Sequence, residues 1–120
     1  MGFLKRFLGG ASEPGPPVDV DAQVIEALRR SGADLAQPRE VIHYLYFGTE
    51  PATHAAVVRL DRDGRFVHAV IDPDTGKSSV KVTHTAVVTL DAIHALRAEF
   101  EAAAAEGGGE YDGWEAAAGP

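Results

Sequence analysis

The spacing of hydrophobic and polar positions predicts three helices. In the first, Val20, Val24 and Leu28 recur four positions apart, which places them on one stripe of a helix. Each helical segment starts behind a capping residue and ends before a glycine, as helices commonly do. The expected helices run from a cap at Asp19 or Asp21 to Gly32, from Glu50 behind a Thr49 cap to about Asp63, and from a Thr89 cap to about Glu106.

The other patterned segments predict strands over residues 41–47, about 65–71, about 79–88 and about 110–116. The third strand alternates, so that Val80, Val82 and His84 share one face while polar residues fill most of the other. The first strand is β-branched and aromatic throughout, and we expect both of its faces to be covered at least in part.

The order of these elements predicts a ferredoxin-like fold. Two strand-helix-strand units joined by a hairpin form the split βαβ arrangement of a two-layer α+β sandwich. We expect a four-stranded antiparallel sheet with the second and third helices on one face. The extra N-terminal helix would pack at an edge of the sheet or across its other face. The expected domain covers residues 18–116, between a flexible tail at 1–17 and a short tail at 117–120.

The segment from Met1 to Leu8 combines a basic pair with four large apolar residues. It lacks the long apolar stretch and the cleavage site of a signal peptide, and the chain has no apolar run of about 20 residues that would cross a membrane. A Pro- and Gly-rich linker over residues 9–17 follows it. Contact with a membrane interface would bury little area over two helical turns, so we favour a disordered tail on a cytoplasmic protein.

Composition and charge exclude several functions. The 120 residues contain no cysteine, which rules out disulfides, thiolate metal sites and a cysteine nucleophile. The formal net charge is −7, and residues 97–115 contain six Asp or Glu against a single Arg. Such a surface repels phosphate backbones, so we expect no direct binding of nucleic acid and a basic protein as the partner.

No catalytic or cofactor-binding arrangement is recognisable. His43, His68 and His84 could share a metal only if their strands were neighbours, and their spacing is not that of a metal motif. His84 lies on the apolar face of its strand, which favours a hydrogen-bonded core histidine. We find no nucleophile elbow and no phosphate-binding glycine loop, and we expect no catalytic residue, no metal and no cofactor.

The segment Gly107-Gly108-Gly109-Glu110-Tyr111-Asp112-Gly113-Trp114-Glu115 contains the single Trp of the chain. Three glycines would end the preceding helix, because glycine adopts positive φ without a steric penalty. Asp112-Gly113 predicts a tight turn that brings Tyr111 and Trp114 close together. Such an aromatic pair suits either closure of the core or a recognition surface, and one residue can serve both purposes.

These residues resemble the family of regulator of ribonuclease activity B, RraB, whose members inhibit ribonuclease E. The resemblance covers about residues 18–116 and depends most on the segment from Gly108 to Glu115, with support from segments 39–47 and 87–93. It implies a non-catalytic protein with a ferredoxin-like sandwich that binds the non-catalytic, Arg-rich region of a ribonuclease E-type enzyme.

On this basis we expect partner contacts from Glu110, Tyr111, Asp112, Gly113, Trp114 and Glu115. The alternatives are an interaction module for another cytoplasmic protein and, less favoured, a small enzyme. The sequence leaves the oligomeric state open.

Overall fold

A computed structural model describes residues 19–118. Its elements are α1 (Val20–Arg30), β1 (Arg39–Phe47), α2 (Glu50–Leu60), β2 (Arg65–Ile71), β3 (Ser78–Ala86), α3 (Leu90–Glu106) and β4 (Glu110–Ala116). The expected order of helices and strands is confirmed. The tail expected at residues 1–17 lies outside the described residues.

Side-chain caps start all three helices, as the sequence predicts. The side-chain oxygens of Asp19, Thr49 and Thr89 each accept a hydrogen bond from the backbone N–H three residues further on. Helix α2 is shorter than expected and ends at Leu60 instead of Asp63, because Asp61 already has extended backbone angles (φ −72°, ψ 113°).

All neighbouring strands are antiparallel, and they lie in the order β2-β3-β1-β4. This order, with one helix in each of the two connections β1-α2-β2 and β3-α3-β4, is the ferredoxin-like arrangement that the sequence predicts. The antiparallel register places directly opposed residues on the same face of the sheet. The strand pairing therefore shows which residues of neighbouring strands lie side by side on each face of the sheet.

Helices α2 and α3 cover one face of the sheet. The core beneath them contains buried residues of β1, β3 and β4. Strand β2 adds the half-buried Val67 and Ala69 at the border of this core. The fully buried members of this core include Leu45, Leu60 and Phe100. The alternation expected in β3 is confirmed, since Val80 and Val82 are buried there.

Helix α1 packs at the edge of the sheet beside α3 and β4. Its Leu28 joins a second buried cluster with Val41, Ile93 and Trp114. Of the two expected positions for this helix, the edge is therefore the correct one. The second face of the sheet, which we call the open face, is covered by no helix of residues 19–118.

On the open face, β1 is covered only in part, which agrees with the expectation for this strand. Its helix-facing residues are buried, and its other side carries Ile42 and Tyr44, which are half-buried, and Tyr46, which is 41% exposed. Neighbouring strands provide the partial cover of the first two, and Tyr46 remains largely accessible.

The glycine run after α3 is required by close packing as well as by backbone angles. Gly108 has a φ of 66°, which favours glycine. A Cβ on Gly109 would lie 2.2 Å from the carbonyl oxygen of Tyr46, and one on Gly107 would lie 2.8 Å from the Phe47 ring. The start of β4 can therefore approach the end of β1 only without side chains at these positions.

Helices long and apolar enough to cross a membrane are absent from the described part of the chain.

Candidate protein-binding site

The segment from Glu110 to Ala116 is a strand, so the tight turn expected at Asp112-Gly113 is wrong. Leu45 pairs with Tyr111 and Tyr44 pairs with Gly113, which makes Asp112 the extra residue of a β-bulge. Gly113 has a φ of 104°, a value that favours glycine at the bulge.

The bulge decides where the two aromatic residues point. In a regular strand, residues three positions apart face opposite sides of the sheet. The extra residue reverses this alternation once, so Tyr111 lies opposite Leu45 and Trp114 lies opposite His43, both on the helix side. Both rings are almost fully buried. They therefore close the core, which is one of the two roles that the sequence left open.

Tyr111 belongs to a buried polar network. Its hydroxyl lies 2.8 Å from Nδ1 of His43, and Nε2 of His43 lies 3.0 Å from Nε2 of His84. Burial, together with the charge that His84 would carry, lowers the pKa of His43 to about 3, and burial also lowers the pKa of His84. Burial raises the pKa of Tyr111. These groups are therefore neutral near pH 7, and both ring nitrogens of His43 have a hydrogen-bond partner.

Trp114 joins β4 to α1 and α3 through one carboxylate. Its indole N–H donates to Oδ1 of Asp21 at 2.8 Å, and Arg97 donates to both oxygens of Asp21 at 2.7 and 2.8 Å. Burial opposes ionisation of Asp21, but the hydrogen bonds from Arg97 and Trp114 outweigh it and lower the pKa of this carboxyl. Asp21 was a candidate cap in the sequence; Asp19 caps the helix, and Asp21 is instead a buried anchor.

Asp112 is buried at the bulge, and its Oδ1 has no hydrogen-bond partner among residues 19–118. A buried carboxylate oxygen without a partner is costly. Packing within the described residues gives no reason for an acid at this position.

Glu110 and Glu115 are the exposed members of the expected contact set, and both face the open side of the sheet. Glu110 lies opposite Tyr46, and Glu115 lies opposite Ile42. The hydroxyl of Tyr44 donates to Oε1 of Glu115 at 2.5 Å, which raises the pKa of Tyr44 to about 12. Two tyrosine rings of β1 therefore lie beside two carboxylates of β4, with the small Gly113 between them.

Arginines already neutralise much of the expected acidic run. Arg65 donates to both oxygens of Glu99 at 2.7 and 2.8 Å, and Arg59 forms an ion pair with Glu106. Glu115, in contrast, forms no ion pair with a Lys or Arg of residues 19–118. Within the acidic run, Glu115 thus keeps an exposed negative charge that no Lys or Arg of residues 19–118 pairs with.

The three histidines that could have shared a metal are divided between the two faces. His43 and His84 meet on the helix side of the sheet, whereas His68 pairs with Lys81 on the open face. A group that sequence analysis missed is formed by Asp19, Asp21 and His94, whose ligand atoms lie within 4.8 Å of one another. Because Arg97 and Trp114 already occupy the oxygens of Asp21, this group is explained as a charge network between α1 and α3.

A comparison with known protein families identifies a match. The family profile described as Regulator of ribonuclease activity B matches residues 18–116, which includes all seven elements from α1 to β4. No curated protein matches the chain.

Proposed function

Because the chain belongs to the family of regulator of ribonuclease activity B, RraB, we propose that it regulates a ribonuclease by binding it, without catalysis of its own. The family is one of regulators of ribonuclease activity, and the finer proposal is that the partner is a cytoplasmic ribonuclease E-type enzyme. We further propose that the contact is made with the Arg-rich, non-catalytic region of that enzyme.

The observation that carries this proposal is the β4 side of the open face. Glu110 and Glu115 flank Tyr44 and Tyr46 there, across two paired strands. A guanidinium group binds a carboxylate through two parallel hydrogen bonds and stacks on an aromatic ring, and Lys does either less well. Alternating carboxylates and rings are therefore complementary to an Arg-rich chain.

The aromatic residues of the contact segment have a supporting role in this proposal. Tyr111 and Trp114 hold β4 in place from the core side, and the bulge at Asp112 and Gly113 aligns the strand so that Glu110 and Glu115 both face the partner. The segment then acts in binding as a unit, although its large rings are buried.

The test is ribonuclease inhibition by the purified full chain. We expect lower RNA cleavage by a ribonuclease E-type enzyme that retains its Arg-rich region, and unchanged cleavage by the same enzyme without that region. The protein alone should cleave no RNA. The reason is that a disordered basic segment can bind along an exposed strand face, whereas a folded catalytic domain offers no comparable target.

Two outcomes would contradict the proposal. Equal inhibition of the intact and truncated enzymes would indicate a direct block of the catalytic domain. Inhibition of neither enzyme would favour the alternative of an interaction module for a different protein.

A further inference from the structure

The open face also carries exposed apolar side chains on β2, which the strands β3 and β1 separate from Glu110 and Glu115. Phe66 and Val70 lie on the edge strand β2 and are 67% and 58% exposed. Beside them is a groove of about 420 Å³, lined by side chains of three strands: Tyr44, Tyr46, His68, Val70, Ser79 and Lys81. Exposed apolar side chains next to a groove of this size mark a surface that binds another apolar group.

The chain itself contains a matching segment that the proposed function leaves unused. Residues 3–8, Phe-Leu-Lys-Arg-Phe-Leu, combine four large apolar side chains with two adjacent cations. They precede the described residues and are joined to them by the Pro- and Gly-rich linker.

We propose that residues 3–8 of this chain dock on its own open face. The apolar side chains, chiefly Phe3 and Phe7, fill the groove beside Val70, and the basic pair lies toward the carboxylates of Glu110 and Glu115. The segment therefore occupies the surface that we assign to the partner and competes with it. The competition rests on the proposed function, but the docking does not.

The linker is long enough for this contact. Helix α1 starts on the helix side of the sheet, next to β4, as the hydrogen bond between Asp21 in its first turn and Trp114 shows. The groove is centred on β3, two strands away, so a path around the β4 edge covers about 20–25 Å, given strand spacings near 4.8 Å and a layer spacing near 10 Å. Residues 9–18 can span about 30 Å when extended.

Charge and tethering both favour this occupant over a free peptide. Lys5 and Arg6 carry two positive charges, and Glu115 has no Lys or Arg partner in residues 19–118 to displace. A linker of this length holds the segment at an effective concentration in the millimolar range, so even a weak contact becomes populated. Lys81 also faces the groove, where its aliphatic stem can pack against an apolar side chain while its charge stays in water.

The absence of cysteine allows a direct test. A Gly2→Cys variant of the full chain has a single thiol for a nitroxide spin label. In the ¹⁵N-labelled protein we expect the oxidised label to remove most of the amide signal intensity of Tyr46, Val70 and Lys81. Signals of α2, on the other side of the sheet, should keep their intensity. In a second sample, ¹⁵N-labelled chains without a spin label are mixed with spin-labelled chains that contain no ¹⁵N. Loss of signal in this mixture reports contacts between two molecules and not within one.

Two variants and one control complete the test. Introducing Phe3→Asp and Phe7→Asp should restore the lost signals, as should Phe66→Asp with Val70→Asp on the surface. Val58→Asp, at an exposed apolar residue of α2 that is 78% accessible, should restore none. Unchanged amide shifts in the core of each variant would show that it is folded.

Weak, uniform broadening that Phe3→Asp with Phe7→Asp does not alter, or broadening centred on another surface, would overturn the inference. Broadening that arises only between molecules would also overturn it and would indicate binding to a second copy. Ordering of the segment only after addition of anionic vesicles would overturn it in favour of a membrane contact. No ribonuclease is present, so failure here leaves the inhibition test unaffected.

Discussion

At the scale of single residues, the most informative group is the hydrogen-bonded pair of the buried His43 and the half-buried His84. The sequence predicts that His84 is a hydrogen-bonded core histidine, from its place on the apolar face of β3. The hydrogen bond is confirmed, and the ring lies half-buried at the border of the core. It does not identify His43 as the partner, because β1 is apolar on both sides and gives no sign of which face is buried. Register between strands, which brings these nitrogens within 3.0 Å, is a tertiary property.

A pH dependence of stability follows from this pair. The ordinary His pKa of 6.5 applies to the unfolded chain, and burial lowers the folded pKa of His43 to about 3. Between these values the unfolded chain binds more protons, so stability is complete above pH 6.5 and is lost as the pH falls toward 3. The expected slope is about 1.4 kcal/mol per pH unit for one such group. It is measured by urea unfolding between pH 6.5 and 4.5, above the range in which Asp21 and Glu99 titrate.

Two variants test whether His43 causes this pH dependence of stability. His43→Gln should reduce it in that range, whereas His68→Gln, a histidine exposed on the open face, should leave it unchanged. The same slope in His43→Gln and the wild-type protein would place the titrating group elsewhere.

At the scale of elements, the sequence predicts the parts of the fold whose signals are local. Helix caps, the apolar stripes of the helices and the alternation in β3 each depend on neighbouring residues, and they are confirmed. The bulge in β4 was missed, since Asp112-Gly113 is also typical of a hairpin turn. Only pairing with β1 shows that Gly113 lies opposite Tyr44 within a strand.

The attachment of α1 depends on Trp114. Trp114→Phe removes the hydrogen bond to the Asp21 carboxylate and leaves part of a filled core site empty. We expect it to lower the free energy of unfolding by about 2–4 kcal/mol. Tyr44→Phe, which removes an exposed hydrogen bond to Glu115, is the matched control and should cost less than about 1 kcal/mol. Equal losses in chemical denaturation would show that the Asp21 contact does not anchor the helix.

At the scale of the whole molecule, the distribution of charge matters more than its sum. The net charge of −7 predicts a basic partner, but composition cannot show that Glu99 and Glu106 are already paired with arginines. Nor can it show which face of the sheet is uncovered, because α1 could have packed on either side. The candidate surface became visible only when α1 was placed at the edge and the second face was left open.

The most direct test of the account is the affinity of the full chain for the isolated Arg-rich region of a ribonuclease E-type enzyme, measured at low and high salt. We predict binding that weakens as salt rises, since ions screen exposed charges, and a loss on the order of tenfold when Glu110 and Glu115 are changed to Lys. Asp63→Lys with Asp74→Lys reverses two exposed acids outside the open face and should retain more of the affinity. Binding that is independent of salt, or equally weakened by both pairs of changes, would contradict the claim that the open face binds the partner through these carboxylates.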